Sequence, residues 1–309
     1  MKSVLIIGYG SIGRRHSEIL TALYPGCRID LVSSHLENAP GMYKALSEVP
    51  GLGSYDYFII ATKTAHHRRD LVLLDAAVFG KIILVEKPIF DDCRPYTSVS
   101  NRVFVGYNLR YHPLIAKLKT LSYTRKVLSV SVRVGQYLPD WRSGMDYTES
   151  YSAHKSQGGG VLLDLSHEID YVQWIYGKIC DLRAINSKIS DLKIDSDDYA
   201  SIIGMTEKGV MVSMTMDYLS REPGRTIIVQ YECSTIFVDL IKNEIREVGG
   251  EVKRTDAPAT PVERNYTYAA MHQDILSGSS DSACTLAEGI KVMETIAMVR
   301  KQAKEDWIG

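Results

Sequence analysis

The 309-residue chain is short of several things, and each shortage excludes a class. It has five cysteines (Cys27, Cys93, Cys180, Cys233 and Cys284), with no C-x-x-C pair. An odd, dispersed set excludes a disulfide framework and the common cysteine metal motifs, and fits reduced thiols in the cytoplasm. Neither sign of charge is in excess: 36 Lys and Arg stand against 37 Asp and Glu, for a net charge of −1. No electrostatic footprint for nucleic acid or a membrane surface follows from that balance. No apolar run approaches a membrane span, and the first one meets glycines too soon for a secretory leader. Internal repeats and low-complexity linkers are missing as well. Phenylalanine is scarce, five against nineteen tyrosines. Such an excess of polar-tipped aromatics suits wet clefts and interfaces.

What is present begins at once. The apolar run Val4–Ile7 leads into Gly8, Gly10 and Gly13, and Ser11 opens an amphipathic segment with Ile12, His16, Ile19, Leu20 and Leu23. This is the strand, glycine turn and helix start of a dinucleotide-binding fold. Gly8 permits the turn, Gly10 lets the backbone approach a pyrophosphate, and Gly13 allows close helix–strand packing. The helix N-terminus presents free N–H groups to phosphate, so the turn residues Gly8, Tyr9, Gly10, Ser11, Ile12 and Gly13 are expected to bind the cofactor.

Strand patterns follow at Arg28–Ser33, Tyr57–Thr62, Ile82–Glu86 and Val103–Tyr107, with helical patterns between them, clearest at Ser11–Tyr24 and Ala65–Val78. That rhythm predicts a doubly wound parallel sheet. After about residue 120 the period changes. Alternating strands are expected from Val127, then at Tyr199–Met205, Val210–Asp217, Thr226–Tyr231, Thr235–Leu240 and Glu244–Val248, joined by short turns. Closely spaced alternation predicts an antiparallel sheet with one buried face. One helix is expected over Gly160–Tyr176, and two near Asn265–Leu276 and Leu286–Lys304. The fold class is therefore α/β: an N-terminal Rossmann domain (1–120) and a C-terminal α+β domain (121–309) with a large, mostly antiparallel sheet.

Two places carry candidate chemistry. Lys87, in Glu86-Lys87-Pro88, follows the strand ending at Glu86, and ligands of parallel sheets lie beyond the C-terminal strand ends. Its alternative is an ordinary surface lysine. The second is Gly158-Gly159-Gly160 running into Asp164, His167 and Tyr171, which share one edge of a helix by spacing. That edge is either solvated or lines a cleft. The glycines admit a ligand or backbone, and a histidine at a helix N-terminus is held neutral by the dipole. Asp164 is placed to orient it. A histidine or a tuned lysine suits the proton transfer that accompanies hydride transfer to or from a secondary alcohol.

The glycine turn, Ala61-Thr62-Lys63-Thr64-Ala65-His66-His67, Glu86-Lys87-Pro88, Val105-Gly106-Tyr107-Asn108-Leu109-Arg110 and the Gly-rich Asp/His helix occur in that order. Together they resemble the Gfo/Idh/MocA (glucose-fructose oxidoreductase / inositol dehydrogenase) family, over essentially the whole chain. The resemblance implies a Rossmann domain joined to an α/β domain whose sheet mediates homodimers or homotetramers. It also implies NAD(P)-dependent oxidation or reduction of sugars and related alcohols. Lys87 and His167 fall on the family's proton-handling positions, with Asp164 beside them as a third catalytic candidate. Ala61, Thr62, Lys63, His67, Glu86 and Lys87 are the cofactor positions, and Asn108 and Arg110 accompany Lys87, Asp164 and His167 at the substrate.

Three features depart from the family pattern. Lys63 stands where many members have proline. Asp164 and His167 are three apart rather than four, and Asp170 fits the family's spacing better. The second strand runs into Ser33-Ser34-His35, with Asp30 inside it, so no acid stands at its end to hold the ribose hydroxyls of NAD. The serines suit a ribose phosphate, and the cofactor expectation is NAD or NADP with a lean to NADP.

Tyr137, Trp141 and Arg142, in the polar aromatic stretch before the glycines, are expected to contact a sugar, or else to form a subunit interface. The combined motifs resemble members acting on amino sugars or nucleotide-linked sugars in surface-polysaccharide and nonulosonic-acid pathways. Asp195-Ser-Asp-Asp198 reads as a solvated turn, and His66 with His67 gives no metal site. Two other functions share these motifs: an NAD-dependent glycosidase or epimerase with transient oxidation, and a nucleotide-binding regulator without catalysis.

Overall fold

The computed structural model describes residues 1–37, 39–98, 100–142, 144–249, 252–256 and 262–305. In chain order the elements are β1 (Ser3–Ile7), α1 (Ser11–Leu23), β2 (Arg28–Val32), β3 (Met42–Tyr43), β4 (Tyr57–Ile60), α2 (Thr64–Ala77), β5 (Ile82–Val85) and β6 (Arg102–Val105). Then come α3 (Pro113–Thr124), β7 (Val127–Gly135), α4 (Val161–Asp164), α5 (His167–Tyr176), β8 (Ile179–Ser187), β9 (Tyr199–Thr206), β10 (Met211–Asp217) and β11 (Gly224–Tyr231). The chain closes with β12 (Thr235–Asp239), β13 (Glu244–Gly249), β14 (Val252–Asp256), α6 (Tyr266–Ser277), β15 (Cys284–Thr285) and α7 (Leu286–Glu305). These fall into two compact units, Met1–Tyr111 with Arg264–Ile290, and His112–Glu263 with Lys291–Gly309.

The first unit is built on a seven-stranded sheet ordered β15-β6-β5-β4-β1-β2-β3. β1 pairs in parallel with both β2 and β4, so the order reverses beside β1, at the switch point where such sheets bind ligands. All five residues of β1 are buried, as a sheet covered on both faces requires. Val4, Ile6, Leu20, Ile59, Leu84 and Phe104 form the core, and Met271 and Ile275 of α6 join it. The late return of the chain to this unit had no counterpart in the expected pattern.

The second unit is an eight-stranded sheet ordered β14-β13-β12-β11-β7-β10-β9-β8. Its pairs are antiparallel except β7 with β10 among the described residues. β9 alternates buried and open positions along its length, as expected for a sheet with one covered face. The covered face holds Val130, Val132, Ile202, Val212 and Met214. The other carries Ser131 hydrogen-bonded to Ser213, and the exposed Ile203, Met205 and Met211. The expected parallel and antiparallel sheets are both present.

Several expectations need correction. The single helix over Gly160–Tyr176 is two, α4 and α5, because the hydrogen bonds tighten and lengthen over Leu165–Ser166. Ser166 N–H reaches back three residues to Leu163 at 3.4 Å, and Glu168 N–H to Leu165 at 3.3 Å. β8 and α3 were not anticipated. Asp195–Asp198 is solvated only at its start: Asp195 is exposed, whereas Asp198 is fully buried and accepts the N–H groups of Ile189 and Ser190.

Candidate active site

In the first unit the glycine turn is closed on two sides and open on the third. A Cβ at Gly13 would overlap the Gly8 carbonyl oxygen, and one at Gly8, whose φ is +96°, would lie 2.6 Å from Ala61's carbonyl carbon. Gly10 has nothing within 4 Å of its Cβ position. Gly10 is also the N-cap of α1 and offers no side chain to its N–H groups. Unclaimed helix N–H groups under an open glycine fit a dinucleotide pyrophosphate. Tyr9 flanks the opening, with the Arg14 guanidinium 5.5 Å from its ring centre.

The adjoining strand ends sit level with this turn, since Gly8 N–H bonds Val32, Ala61 N–H bonds Ile7 and Glu86 N–H bonds Ile60. Ser33 is half-buried, whereas Ser34 and His35 are exposed past β2. Asp30 lies within β2, buried against the hydroxyl of Tyr55, so no carboxylate of that strand stands at its end. Thr62 donates to Asp70 at 2.8 Å, and Lys63 is the exposed N-cap residue of α2. His67 is buried, its Nδ1 2.9 Å from the Pro88 carbonyl and its Nε2 3.0 Å from that of Thr62. Burial lowers its pKa, an effect the two carbonyl bonds only partly offset. His67 thus sits between the main chains at the ends of β4 and β5, and its neutral ring donates to one of the two carbonyls. Glu86 is buried, Lys87 is half-buried, and the Lys87–Pro88 peptide bond is cis.

Asn108 and Arg110 belong to a short 3-10 turn packed on α6 in this same unit. Asn108 donates to Thr267 at 2.7 Å. Arg110, 2 % exposed, pairs with Glu288 at 3.3 Å. Burial pushes the Glu288 carboxyl upward, but Arg110 and the donors of Thr285 outweigh it and leave the pKa lowered.

The second unit brings Asp164, Trp141 and Arg142 together. Tyr218 donates to Asp164 at 2.6 Å. Burial first, and then the Asp164 charge, raise the pKa values of both Tyr218 and Tyr151, so these hydroxyls stay protonated donors. Trp141 stands edge-on to Tyr218, with ring centres 5.1 Å apart, and the Arg142 guanidinium lies 5.3 Å from the Tyr151 ring centre. Tyr137 is covered by Arg221 at 3.5 Å. His167 is the first residue of α5 and is buried. Behind it, the fully buried Glu168 meets Arg225 at 2.9 Å. The glycines before α4 serve packing: a Cβ at Gly159 would overlap the Tyr151 and Ser152 carbonyls, and one at Gly160 would overlap Asp197.

Sequence reading missed Tyr151 and Tyr218, although the tyrosine excess was its signal. Four tyrosines donate their hydroxyls to acids: the buried Tyr55 and Tyr218 to Asp30 and Asp164, and the half-buried Tyr96 and Tyr111 to Asp75 and Asp274. Phenylalanine could not satisfy those carboxylates. Missed too were His16 and His272, brought together by the return of α6.

A mostly parallel sheet with a glycine turn at its switch point, and a mostly antiparallel sheet with one open face, define a two-unit protein of dinucleotide-fold type. Residues 126–236 match the family model of the GFO/IDH/MocA C-terminal domain, the family that the motifs of the chain resemble. No curated protein matches by sequence. Among solved structures, levoglucosan dehydrogenase in complex with NADH superposes with a TM-score of 0.84 at 18% identity, covering 99% of this chain and 97% of that one. UDP-N-acetylglucosamine 3-dehydrogenase GnnA from Acidithiobacillus ferrooxidans gives 0.77 at 18%, covering 98% and 97%. GenD2 from gentamicin A biosynthesis, in complex with NAD, gives 0.77 at 20%, covering 99% and 95%. At these identities the shared property is the fold.

Proposed function

We propose that the protein is an NAD(P)-dependent oxidoreductase. It moves a hydride between nicotinamide and a secondary alcohol or ketone of a sugar, amino sugar or nucleotide sugar, in surface-polysaccharide or nonulosonic-acid biosynthesis. The observation that carries the reading is the turn that is sealed at Gly8 and Gly13 and open at Gly10. Similarity to proteins named as sugar and nucleotide-sugar dehydrogenases supports the substrate class. The bound cofactor supplies the hydride acceptor or donor, and the chain supplies position and proton transfer.

Lys87 Nζ and the His167 imidazole handle the hydroxyl proton, and Asp164, which accepts from Tyr218, is the third catalytic candidate. Tyr137, Trp141 and Arg142 face the sugar. Asn108 and Arg110, held by Thr267 and Glu288, also bind the substrate. No carboxylate of β2 stands at its end, beside Ser33, Ser34 and His35, and serines suit a 2′-phosphate, which favours NADP(H). The open face of the second sheet, with Ile203 59% exposed, supports a homo-oligomer through that sheet.

Lys87→Ala and His167→Ala, assayed with a sugar-alcohol panel, test the reading. Each is expected to lower kcat by about 10²–10⁴-fold, the usual worth of a positioned proton donor or acceptor. Unchanged turnover in both would overturn the assignment.

A further inference from the structure

Beneath the glycine turn, four buried side chains form one unbranched hydrogen-bond chain. The Tyr57 hydroxyl, at the start of β4, is 3.1 Å from His272 Nδ1. His272 Nε2 is 2.9 Å from His16 Nδ1, and His16 Nε2 is 3.0 Å from Glu86 Oε1. Tyr57, His272 and His16 are each 0% exposed and Glu86 is 7%. Glu86 Oε2 accepts the backbone N–H of Lys87 at 3.3 Å. Gly106 makes room for the carboxylate, since a Cβ there would stand 2.7 Å from Oε1.

Proton counting gives this chain a direction. With Glu86 ionised, His16 Nε2–H donates to it, His16 Nδ1 accepts from His272 Nε2–H, and His272 Nδ1 accepts from the tyrosine. Every donor and acceptor is then used, and both imidazoles are neutral. Protonating Glu86 reverses the chain, and protonating His16 turns His272 around. Either way the Tyr57 hydrogen loses its acceptor, and no other is present among the described residues. A buried donor without a partner is destabilising, so the single satisfied state is favoured.

The other charged and titratable groups near the chain do not upset this state. Tyr268 stands edge-on to His16 with Arg15 over its own ring. Tyr24 lies near Tyr57, and His67 near Glu86. Burial and the Glu86 charge keep Tyr57 and Tyr268 protonated, and burial keeps His272 neutral.

We infer that Tyr57, His272 and His16 are positioning residues that hold Glu86 as a fixed carboxylate at the strand end beside Lys87. The purpose of that anion is to favour the oxidised, positively charged nicotinamide over the reduced one. This second half rests on the function proposed above. A charge fixed at the C-terminal edge of a parallel sheet acts on the ligand bound there without reorganising. The chain conducts no proton to solvent, because Tyr57 is sealed.

Two measurements test this. Nitrogen-15 NMR of the histidine rings in the whole protein, without cofactor, is expected to show His16 and His272 as neutral Nε2–H tautomers at pH 7. An Nδ1–H tautomer or an imidazolium at either ring overturns the relay, whatever the function. The second compares the Kd values of oxidised and reduced cofactor. Glu86→Gln is expected to weaken the oxidised form against the reduced by roughly tenfold at all pH values, as loss of one nearby charge implies. His16→Leu, which removes the donor to Glu86, should show part of that loss, and His16→Gln, which keeps a donor, should restore the wild-type ratio. Tyr57→Phe is the milder variant should His16→Leu fail to fold. An unchanged ratio in Glu86→Gln overturns the electrostatic role. Failure of every form to bind nicotinamide overturns the proposed function and this role, while the ring spectra still decide the relay.

Discussion

Two alanine substitutions in one turn should have opposite effects. At Gly13 a methyl group would overlap the Gly8 carbonyl oxygen and lie 3.0 Å from its carbon, with Ile6 behind it at 3.6 Å. The obstacle is backbone, and Gly8 is tied by its own N–H to Val32 at 2.8 Å, so it cannot give way. α1 must move off the sheet, which overpacking data place at about 2–3 kcal/mol. At Gly10 the backbone is extended (φ −78°) and the Cβ position is empty. Exchanging the glycine N-cap for alanine costs about 0.5–1 kcal/mol, and the stiffer unfolded chain returns about as much. Gly10→Ala should therefore unfold within about 0.5 kcal/mol of wild type, yet fill the space a pyrophosphate needs. Urea unfolding and cofactor titration of both variants are the assays. Gly10→Ala should lose NAD(H) and NADP(H) binding with its stability intact, and Gly13→Ala should lose stability. If Gly10→Ala binds dinucleotide as wild type does, the open side of the turn is not the phosphate site.

Two further outcomes follow from the second unit. His112 caps α3 by accepting the Leu114 N–H at 3.2 Å, and burial, then the Arg225 charge, push its pKa down to about 4. Above pH 6.5 the ring is neutral folded or unfolded. Below it the unfolded chain takes a proton that the fold refuses, so stability falls as the pH drops from 6.5 to about 4. The bound is about 3 kcal/mol, and about 1–2 after solvent screening. His112→Asn keeps a capping side chain and should show a flatter profile over that range; identical profiles would refute the assignment. On the open sheet face, Ile203→Lys should shift the protein to a smaller species on size-exclusion chromatography with its circular dichroism unchanged. Coelution with wild type as an assembly would count against that interface.

The sheets were legible because their periods differ: Val4–Ile7 is buried on both faces and reads as a solid apolar run, while Tyr199–Thr206 alternates. β8 escaped notice because Asp181 and Arg183 lie on its open positions and its pattern weakens at the sheet edge. The break between α4 and α5 was invisible because Leu162, Leu165 and Ile169 keep helical spacing through it. In the site, the glycine turn could be read from local chemistry alone. The partners of Asp164 could not, since Tyr218 is 54 residues away, nor could the meeting of His16 with His272 across 256 residues. Such contacts exist only once the chain has turned back on itself, and no local period encodes them.

The central claim is net hydride transfer, and the most direct measurement follows an isotope. Reduced cofactor deuterated at the nicotinamide ring is offered with a panel of keto-sugars and keto-nucleotide sugars, and the product is analysed by mass spectrometry and NMR. The account expects one deuterium at the new carbinol carbon, with equimolar oxidised cofactor released. Sugar converted without deuterium, or with no net change in cofactor, would contradict it and point to transient oxidation in a glycosidase or epimerase instead.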